Sequence, residues 1–425
     1  MRGSTLGLAL LGALLACGDD GDPRASRRRP GGPAGETQVG GAEIDRLRAL
    51  GYVDVAEDEI EDERSGVVVT RDGSSNDYNF YLSSGACRAD LIDAAGAVLH
   101  SWQHPPCGRW ASAALLPDGG LVVVGQHPRK EVSAQHHRRY LLRLSRDGTV
   151  LWEVETRVHH YVGLTSDGRI LTLTKRTRHI PNIPPDVLPP GIPVKDNGVA
   201  VFSLDGELLE EQSLVEALSR SPNVFRFQAV APRETERGEV IVDLLHTNAV
   251  QWVPPGGFRG SPAPFPQGAV LVCMRHQDTV ALIDWGAQRA VWAWGQRVLD
   301  GPHDAHVVPG GNVLIFDNGL GRRWSRVMEV DPASAQTVWE YGAHPPRSFY
   351  SRIRGASQRL ANGNTLISDS THGRVFEVTA SGELVWDFRT PHRNAAGKPY
   401  GIVFMRRYSA AQVPSILRPG APSSP

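Results

Sequence analysis

Histidine, asparagine and arginine residues at the ends of short apolar runs are the side chains of this sequence best suited to chemistry. His246 and Asn248 lie in LLHTNAV, His303 lies in PHDAH, and Arg326 lies in WSRVMEV. A neutral imidazole can act as a nucleophile near pH 7, and a second histidine can protonate a leaving oxygen. Arginine binds tetrahedral oxyanions through its forked N–H groups. These residue types together favour sulfuryl or phosphoryl transfer on an anionic substrate.

The candidate residues share a position in their repeats. In an antiparallel four-stranded unit, the start of the first strand, the end of the second and the start of the third lie at one edge. Every candidate falls at or next to such a point, so we expect them on one face of the fold. Those that open a first strand should lie nearest the centre. The complete set is His160, His246, Asn248, Arg275, His303, Arg326 and His372.

The stretch Ala356–Phe388 shows the unit that must position these residues. It contains four short apolar runs, separated by turn residues such as Asn362-Gly363 and Ser381-Gly382. Runs of this length, rich in β-branched and aromatic residues, predict strands. One four-stranded meander cannot bury both of its faces, so it needs neighbours, as a propeller blade does.

The unit recurs along the chain, which predicts an all-β, six-bladed β-propeller over residues 51–408, followed by a disordered tail over 409–425. Tryptophans near the ends of the repeats should pack between blades. The other copies are Asn76–Trp102, Ala111–Val154, His159–Gln212, His246–Trp294 and His303–Tyr341.

The net charge and the spacing of possible metal ligands exclude some classes of function. The chain has 425 residues and a net charge of −1, which argues against nucleic acid as its main partner. No cofactor is expected. A zinc site built from three histidines stays an alternative, but the sequence lacks the close ligand spacing of such sites, so no metal is predicted.

The first 17 residues predict an export signal. Met1–Cys17 has a positive start and an apolar run too short for a mature membrane span. Its end, LLACG, resembles a bacterial lipobox, which implies a lipid on Cys17; an ordinary signal peptide is the alternative. Gly18 after the cysteine favours the outer membrane. The composition of residues 18–50 predicts a flexible tether with a short helix.

The remaining cysteines agree with an oxidising compartment. Cys87 and Cys107 flank the outer strands of the first repeat and are expected to form a disulfide, with two free thiols as the alternative. Cys273 lies in the apolar run AVLVCM and is expected to be inert core.

The segments HTNAV, PHDAHVVPGGNVLIFDNG, SRVMEVD and SQRLANGNTLISDSTHGRVFEV resemble the bacterial aryl-sulfate sulfotransferases. The resemblance runs from about Ala49 to Tyr408. It implies a six-bladed propeller with the active site in the channel mouth. It also implies ping-pong transfer of a sulfuryl group from a phenyl sulfate to a phenol, through a sulfohistidine and without a nucleotide donor.

Residue by residue, the resemblance implies that His246, His303 and Arg326 bind the sulfonate oxygens and that His372 carries the sulfuryl group. One of the histidines would protonate the leaving phenolate. The sequence departs from the family at Pro302, which replaces the usual glutamine before the histidine. We expect Asn248, Arg275 and His160 to contribute to substrate binding. We also expect a monomer, because the chain has no obvious room for the additional N-terminal domain of the enterobacterial enzymes.

Two other functions are consistent with such a propeller. The first is a catalytically silent protein that binds an anionic ligand or another protein at the cell envelope. The second is a quinone-dependent dehydrogenase, which needs a calcium site of clustered Glu, Asn and Asp residues. The sequence shows no such cluster.

Overall fold

The computed structural model describes residues 64–105, 107–128, 139–181, 183–235, 238–260 and 264–413. They form six antiparallel sheets, arranged as the blades of a β-propeller. The predicted fold class is therefore confirmed. The predicted signal peptide, the lipobox with Cys17, the tether with its short helix and residues 414–425 lie outside the described residues.

Strands are short and are joined by tight turns, as the Gly- and Asn-rich spacers predict. In blades 2 to 6 the strand that opens the four-stranded unit contacts the opening strand of a neighbouring blade, so these strands belong to the inner ring. The strands of blade 1 are β2 (Tyr78–Ser83), β3 (Arg88–Ile92), β4 (Val98–Gln103) and β27 (Ile402–Tyr408); blade 2 has β5 (Arg109–Leu115), β6 (Leu121–Gln126), β7 (Arg139–Leu144) and β8 (Val150–Glu155); blade 3 has β9 (Val158–Leu164), β10 (Ile170–Arg178), β11 (Val194–Phe202) and β12 (Leu208–Ser213).

The last three blades match the most regular repeats of the sequence. Their strands are β15 (Thr247–Val253), β16 (Ala269–Met274), β17 (Thr279–Asp284) and β18 (Arg289–Trp294) in blade 4; β19 (Asp304–Val307), β20 (Val313–Asp317), β21 (Arg326–Asp331) and β22 (Gln336–Tyr341) in blade 5; and β23 (Ala356–Arg359), β24 (Thr365–Asp369), β25 (Arg374–Val378), β26 (Leu384–Arg389) and β1 (Gly66–Thr70) in blade 6.

Few other elements interrupt the blades. Between blades 3 and 4 lie the helix α1 (Leu214–Ser219), capped by the Ser213 hydroxyl, and a small hairpin of β13 (Arg233–Glu234) and β14 (Val240–Ile241). Two 3-10 turns span Arg275–Gln277 and Pro346–Ser348. No helix of the described residues is long and apolar enough to cross a membrane.

Hydrophobic side chains pack between the faces of adjacent blades. The second strand of blade 4, β16, is buried along its whole length, whereas the outer strand β8 of blade 2 is largely exposed. Cys273 lies in β16, and burial raises the pKa of its thiol. It thus packs as a small apolar residue.

A hydrogen bond from each outer strand to the next blade repeats around the ring. The donor is a side chain of the fourth strand, and the acceptor is a carbonyl in the turn between the third and fourth strands of the following blade. Four of the donors are tryptophans at repeat ends. The six pairs are His100–Arg146, Trp152–Leu204, Gln212–Trp285, Trp294–Ala335, Trp339–Ala380 and Trp386–Ala94.

Both ends of the described chain contribute to closing the ring. The C-terminal strand β27 supplies the inner strand of blade 1, which lies outside the predicted first repeat Asn76–Trp102. The N-terminal strand β1 adds a fifth strand to blade 6. Glu377 lies fully buried where these ends meet: Arg407 of β27 donates to it, and so do the Ser75 amide at 3.2 Å and the Asn364 side chain at 2.7 Å.

Cys87 and Cys107 form a disulfide with a Cα–Cα distance of 6.3 Å. It joins the turn between β2 and β3 to the segment that connects β4 with blade 2, so it links the middle of blade 1 to the start of the next blade. Closing a loop of this length stabilises a fold by about 3 kcal/mol in chain-entropy models.

We predict that Glu377→Gln destabilises the protein strongly. The change leaves the buried Arg407 guanidinium without its counter-charge, which should lower the free energy of unfolding by about 3–5 kcal/mol. Urea denaturation, followed by tryptophan fluorescence, would measure it.

The control for this prediction is Glu383→Gln, which removes an exposed carboxylate 3.8 Å from Arg71. That change should leave the unfolding midpoint almost unaltered, because exposed ion pairs contribute little. Equal effects of the two substitutions would contradict the role of Glu377 in ring closure.

Candidate active site

Four predicted site residues come together at one mouth of the channel. His246 immediately precedes β15, Arg275 follows β16, and His303 precedes β19. The Arg275 amide donates to the His246 carbonyl at 3.2 Å. The Asn248 side chain donates to the Pro302 carbonyl at 3.4 Å, beside His303. Blades 4 and 5 are therefore joined at the point where these side chains lie.

A row of imidazole rings extends from this point towards blade 3. The ring centroids lie 4.7 Å apart for His159 and His160, 5.4 Å apart for His160 and His246, and 4.6 Å apart for His246 and His276. Burial and the neighbouring His160 hold the pKa of His159 well below its usual value. His160 was predicted to precede β9 but lies within it.

The backbone of two of these histidines is in the left-handed region. The φ angle is 57° at His160, which lies at a register shift of β9, and 47° at His246, which immediately precedes β15. A non-glycine residue in this region costs on the order of 1–3 kcal/mol and is found mainly at functional sites. The register shift takes His160 out of the regular alternation of its strand, and its ring lies 5.4 Å from that of His246.

One carboxylate organises the buried end of the row. Asp243 Oδ2 lies 2.8 Å from His246 Nδ1 and 3.5 Å from Lys195 Nζ, and the Asp243 carbonyl lies 2.6 Å from His276 Nδ1. Burial would raise the pKa of the Asp243 carboxyl, but Lys195 and His246 outweigh burial and hold that pKa well below its usual range. Asp243 is therefore an ion.

These contacts determine where the protons lie. A carboxylate and a carbonyl only accept hydrogen bonds, so the Nδ1 atoms of His246 and His276 carry hydrogen. The Nε2 atom of His246 is buried and has no hydrogen-bond partner among the described residues. That atom is therefore the one that His246 can offer to a substrate.

His303 has a different partner. Its Nδ1 lies 2.9 Å from Asn318 Oδ1, while the Asn318 amide nitrogen donates to the carbonyls of Ser351 at 2.7 Å and Arg354 at 2.5 Å. These two carbonyls fix the amide orientation, so its oxygen faces His303 and the ring carries its hydrogen on Nδ1. The lone pair of His303 then lies on Nε2.

Arg275 brings positive charge to the mouth. A Cβ atom on Gly301 would lie 3.9 Å from the Arg275 Cγ, so the Arg275 side chain passes beside the loop that carries His303. Burial raises the pKa of the Tyr350 hydroxyl, and Asp300 adds to this, whereas Arg352, Arg323 and Arg275 lower it. A guanidinium group beside His303 suits an anionic ligand.

Polar residues of the inner strands fill the channel beyond His303. Asp304 Oδ2 lies 3.2 Å from Arg406 Nη2 and accepts from the Ser357 amide at 3.0 Å. Burial raises the pKa of Tyr161 to about 12, with smaller opposing effects from Arg406 and Asp304. These residues belong to blades 1, 3, 5 and 6, so they cross the channel and form a floor under the mouth.

Arg326 lies apart from the histidines. Its guanidinium donates to Asp317 Oδ2 at 2.9 Å, to Glu340 Oε2 at 3.2 Å and to the Val298 carbonyl at 2.8 Å. In the described part of the chain it contacts neither His246 nor His303. The sulfonate-binding role of Arg326 stays a prediction from the resemblance.

His372 lies in the turn between β24 and β25, the second and third strands of blade 6. Its Nδ1 lies 2.9 Å from both carboxylate oxygens of Asp369, and a quarter of the side chain is exposed. It is at the predicted end of the blade. The turn is farther from the inner ring than the residues that open first strands.

The sequence reasoning missed several residues of this site. His276 directly follows Arg275, and Asp243 stands three residues before His246, so both could have been found as close neighbours of named candidates. Lys195 and Asn318 reach the site from other parts of the chain, and no local pattern marks them.

Asp243, His246 and His276 could also hold a metal ion. Each offers a ligand atom, and these atoms lie within 4.8 Å of one another in a buried cluster. Imidazole and carboxylate are zinc ligands. The Lys195 ammonium next to the carboxylate disfavours a second cation there. That the protein needs no metal stays a prediction from its sequence.

Comparison with known proteins supplies the family. The family model described as arylsulfotransferase (ASST) matches residues 129–391, well over half of the chain. The chain belongs to the arylsulfotransferase family. No curated protein matches it significantly.

Two solved structures share a general likeness with this arylsulfotransferase family member. A protein of unknown function from Bacteroides caccae has 12% identity and a TM-score of 0.48, over 78% of this chain and 98% of its own. A streptogramin B lyase has 9% identity and a TM-score of 0.44, over 81% of this chain and 93% of its own. Neither likeness is close enough to carry a functional argument.

We predict that His306 limits stability in acid. Burial lowers the pKa of His306 to about 4 in the folded protein, against the effect of Asp304 3.8 Å away. The unfolded chain therefore binds this proton first as the pH falls from 6.5 to 4, and stability is lost, by about 2–3 kcal/mol for this group. His306→Gln should remove that part of the loss.

Urea midpoints at pH 7 and pH 4.5 would test this prediction. The exposed His179, changed to glutamine, is the control and should leave the difference between the two pH values unaltered. If His306→Gln loses as much stability in acid as the unmodified protein, the buried neutral state of His306 is wrong.

Proposed function

We propose that this protein is an aryl-sulfate sulfotransferase, which moves a sulfuryl group from a phenyl sulfate ester to a phenol without a nucleotide donor. The observation that carries the proposal is the meeting of His246, Arg275 and His303 at one channel mouth, in a member of the arylsulfotransferase family. The positive charge of the mouth suits a sulfate monoester, whose charge is spread over its oxygens.

Arg275 and His246 would bind the sulfonate oxygens. Arg275 is 4% exposed, so little water competes for its guanidinium and its hydrogen bonds to an anion would be strong. Asn248 holds the loop before His303 through the Pro302 carbonyl. His160, next to His246 in the row of rings, would line the same pocket.

His303 is the group best placed to carry the sulfuryl group. Its proton is held on Nδ1 by the Asn318 amide oxygen, which leaves the Nε2 lone pair for attack on sulfur. A neutral amide stabilises an imidazolium less than a carboxylate does, so the ring stays a nucleophile. His372 was assigned this role by resemblance, but it lies in the turn between the second and third strands of blade 6 and not before an inner strand, with its Nδ1 2.9 Å from the Asp369 carboxylate.

The proposed steps balance. His303 Nε2 forms a bond to sulfur, and the bond from sulfur to the aryl oxygen breaks. The aryl oxygen leaves with the bonding electron pair and takes a proton from His246 Nε2. In the second half, the acceptor phenol returns a proton to His246 while its oxygen attacks sulfur, and the N–S bond breaks.

We further propose a location in the cell envelope, with a lipid on Cys17 as the membrane anchor, an outer-membrane position and a monomeric state. The disulfide between Cys87 and Cys107 supports an oxidising compartment outside the cytoplasm. The substrates would then be small phenols and their sulfate esters met in that compartment.

The purified protein should release nitrophenolate from 4-nitrophenyl sulfate in a manner that depends on added phenol. His303→Ala should lower this rate by about 1000-fold or more, because it removes the nucleophile. His372→Asn should retain most of the rate. Absorbance of nitrophenolate gives the rate, and intact mass after mixing with donor alone gives the sulfated enzyme.

The outcomes separate the alternatives. Loss of activity in His372→Asn with activity retained in His303→Ala would restore His372 as the nucleophile. Absence of release from any aryl sulfate, with ligand-induced stabilisation by the same esters, would favour a silent propeller that binds anions.

A further inference from the structure

We propose that Asp243 is a positioning residue that makes His246 a proton donor, and that the enzyme therefore accepts aryl sulfates of weakly acidic phenols. This inference rests on the proposed sulfotransferase function. It concerns a residue that no sequence motif marked, and it specifies which class of sulfate ester can be a donor.

Asp243 is held from two sides. The Val242 carbonyl accepts from the Lys195 amide at 2.8 Å, and the Val242 amide donates to the Pro193 carbonyl at 3.0 Å, so the segment is tied to β11 of blade 3. On the other side the Gln277 side chain donates to the Leu244 carbonyl at 2.7 Å. The Asp243 carboxylate is thus fixed relative to the His246 ring.

The carboxylate is incompletely satisfied. Asp243 is 2% exposed, and its Oδ1 atom has no hydrogen-bond partner among the described residues. A buried carboxylate with an unpaired oxygen is unfavourable for stability, and an apolar side chain of similar size would be tolerated better. A buried carboxylate of this kind is expected to have a functional reason.

The functional reason is the orientation of the His246 ring. The Asp243 carboxylate lies 2.8 Å from Nδ1 and accepts its hydrogen, which leaves Nε2 as the atom that can donate to a substrate oxygen. In the step proposed above, the Nε2 proton passes to the aryl oxygen as its bond to sulfur breaks. The Nδ1 proton stays on the ring, and Asp243 remains an ion throughout.

Proton donation matters most for a poor leaving group. 4-Nitrophenolate is a weak base and leaves without a proton, whereas unsubstituted phenolate is a much stronger base and needs one. The identity of the ester therefore reports on the donor, while a general loss of structure would slow both esters alike.

The test compares kcat/KM for phenyl sulfate and 4-nitrophenyl sulfate, with one acceptor, in the full-length protein and in Asp243→Asn. In a ping-pong reaction this ratio reports the first half-reaction only. We expect Asp243→Asn to slow phenyl sulfate by about 100- to 1000-fold and 4-nitrophenyl sulfate by less than about 10-fold. Asp243→Glu keeps the charge and should recover most of the phenyl sulfate rate.

Asp90→Asn is the matched control. Asp90 is another buried carboxylate paired with a histidine, at 2.6 Å from His392 Nε2, but it lies in blade 1 outside the site. Its substitution should change the ratio of the two rates by less than about twofold, whatever it does to stability.

Each result decides one question. If the unmodified protein cleaves neither ester, the proposed function fails. If it cleaves both and Asp243→Asn slows them equally, or if Asp243→Glu shows the same ester discrimination as Asp243→Asn, the inference is overturned. If a chelator abolishes activity and zinc restores it, the cluster of Asp243, His246 and His276 is a metal site instead.

Discussion

The closure of the ring is the constraint on which the rest of this structure depends. The residues of the mouth come from blades 3, 4 and 5, and those of the floor from blades 1, 3, 5 and 6. The residues of the floor would not meet in an open arc of sheets. Strand β27 and the buried pair of Glu377 and Arg407 fasten the two ends, and a repeated hydrogen bond from each outer strand fastens every blade to the next. Stability and site geometry thus have the same origin.

A closed and rigid ring can hold conformations that a free strand would lose. His160 and His246 have positive φ angles. The unfavourable backbone energy is opposed by the packing of neighbouring blades. As a result, the rings of His160 and His246 lie 5.4 Å apart, although the two residues are 86 positions apart in the sequence. This contact is present in the structure without a substrate.

Local and non-local features differ in how far the sequence predicts them. Blades, tight turns and the edge at which His246, Arg275 and His303 lie follow from short-range patterns, because each turn and each apolar run is a local matter. The same reasoning failed to place β27 in blade 1, since that pairing joins residues over 300 positions apart. It also placed Arg326 and His372 at the correct blade edge without showing that Asp317 and Asp369 hold their side chains. How far a residue lies from the channel depends on how the blades pack together, and local sequence patterns do not contain that information.

The site needs several buried positive groups, and Asp243 reduces the repulsion between them. An anionic substrate needs several positive groups at short range, yet such groups repel one another when they are buried together. A carboxylate in the mouth would relieve that repulsion but would also repel the sulfate. Asp243 pairs with both His246 and Lys195, where it offsets the buried positive charge. In the proposed reaction Arg275 binds the anion, and His246 gives its proton to the aryl oxygen. A carboxylate paired with Nδ1 of the ring is therefore compatible with both binding and proton transfer, whereas a carboxylate beside the substrate would be compatible with neither.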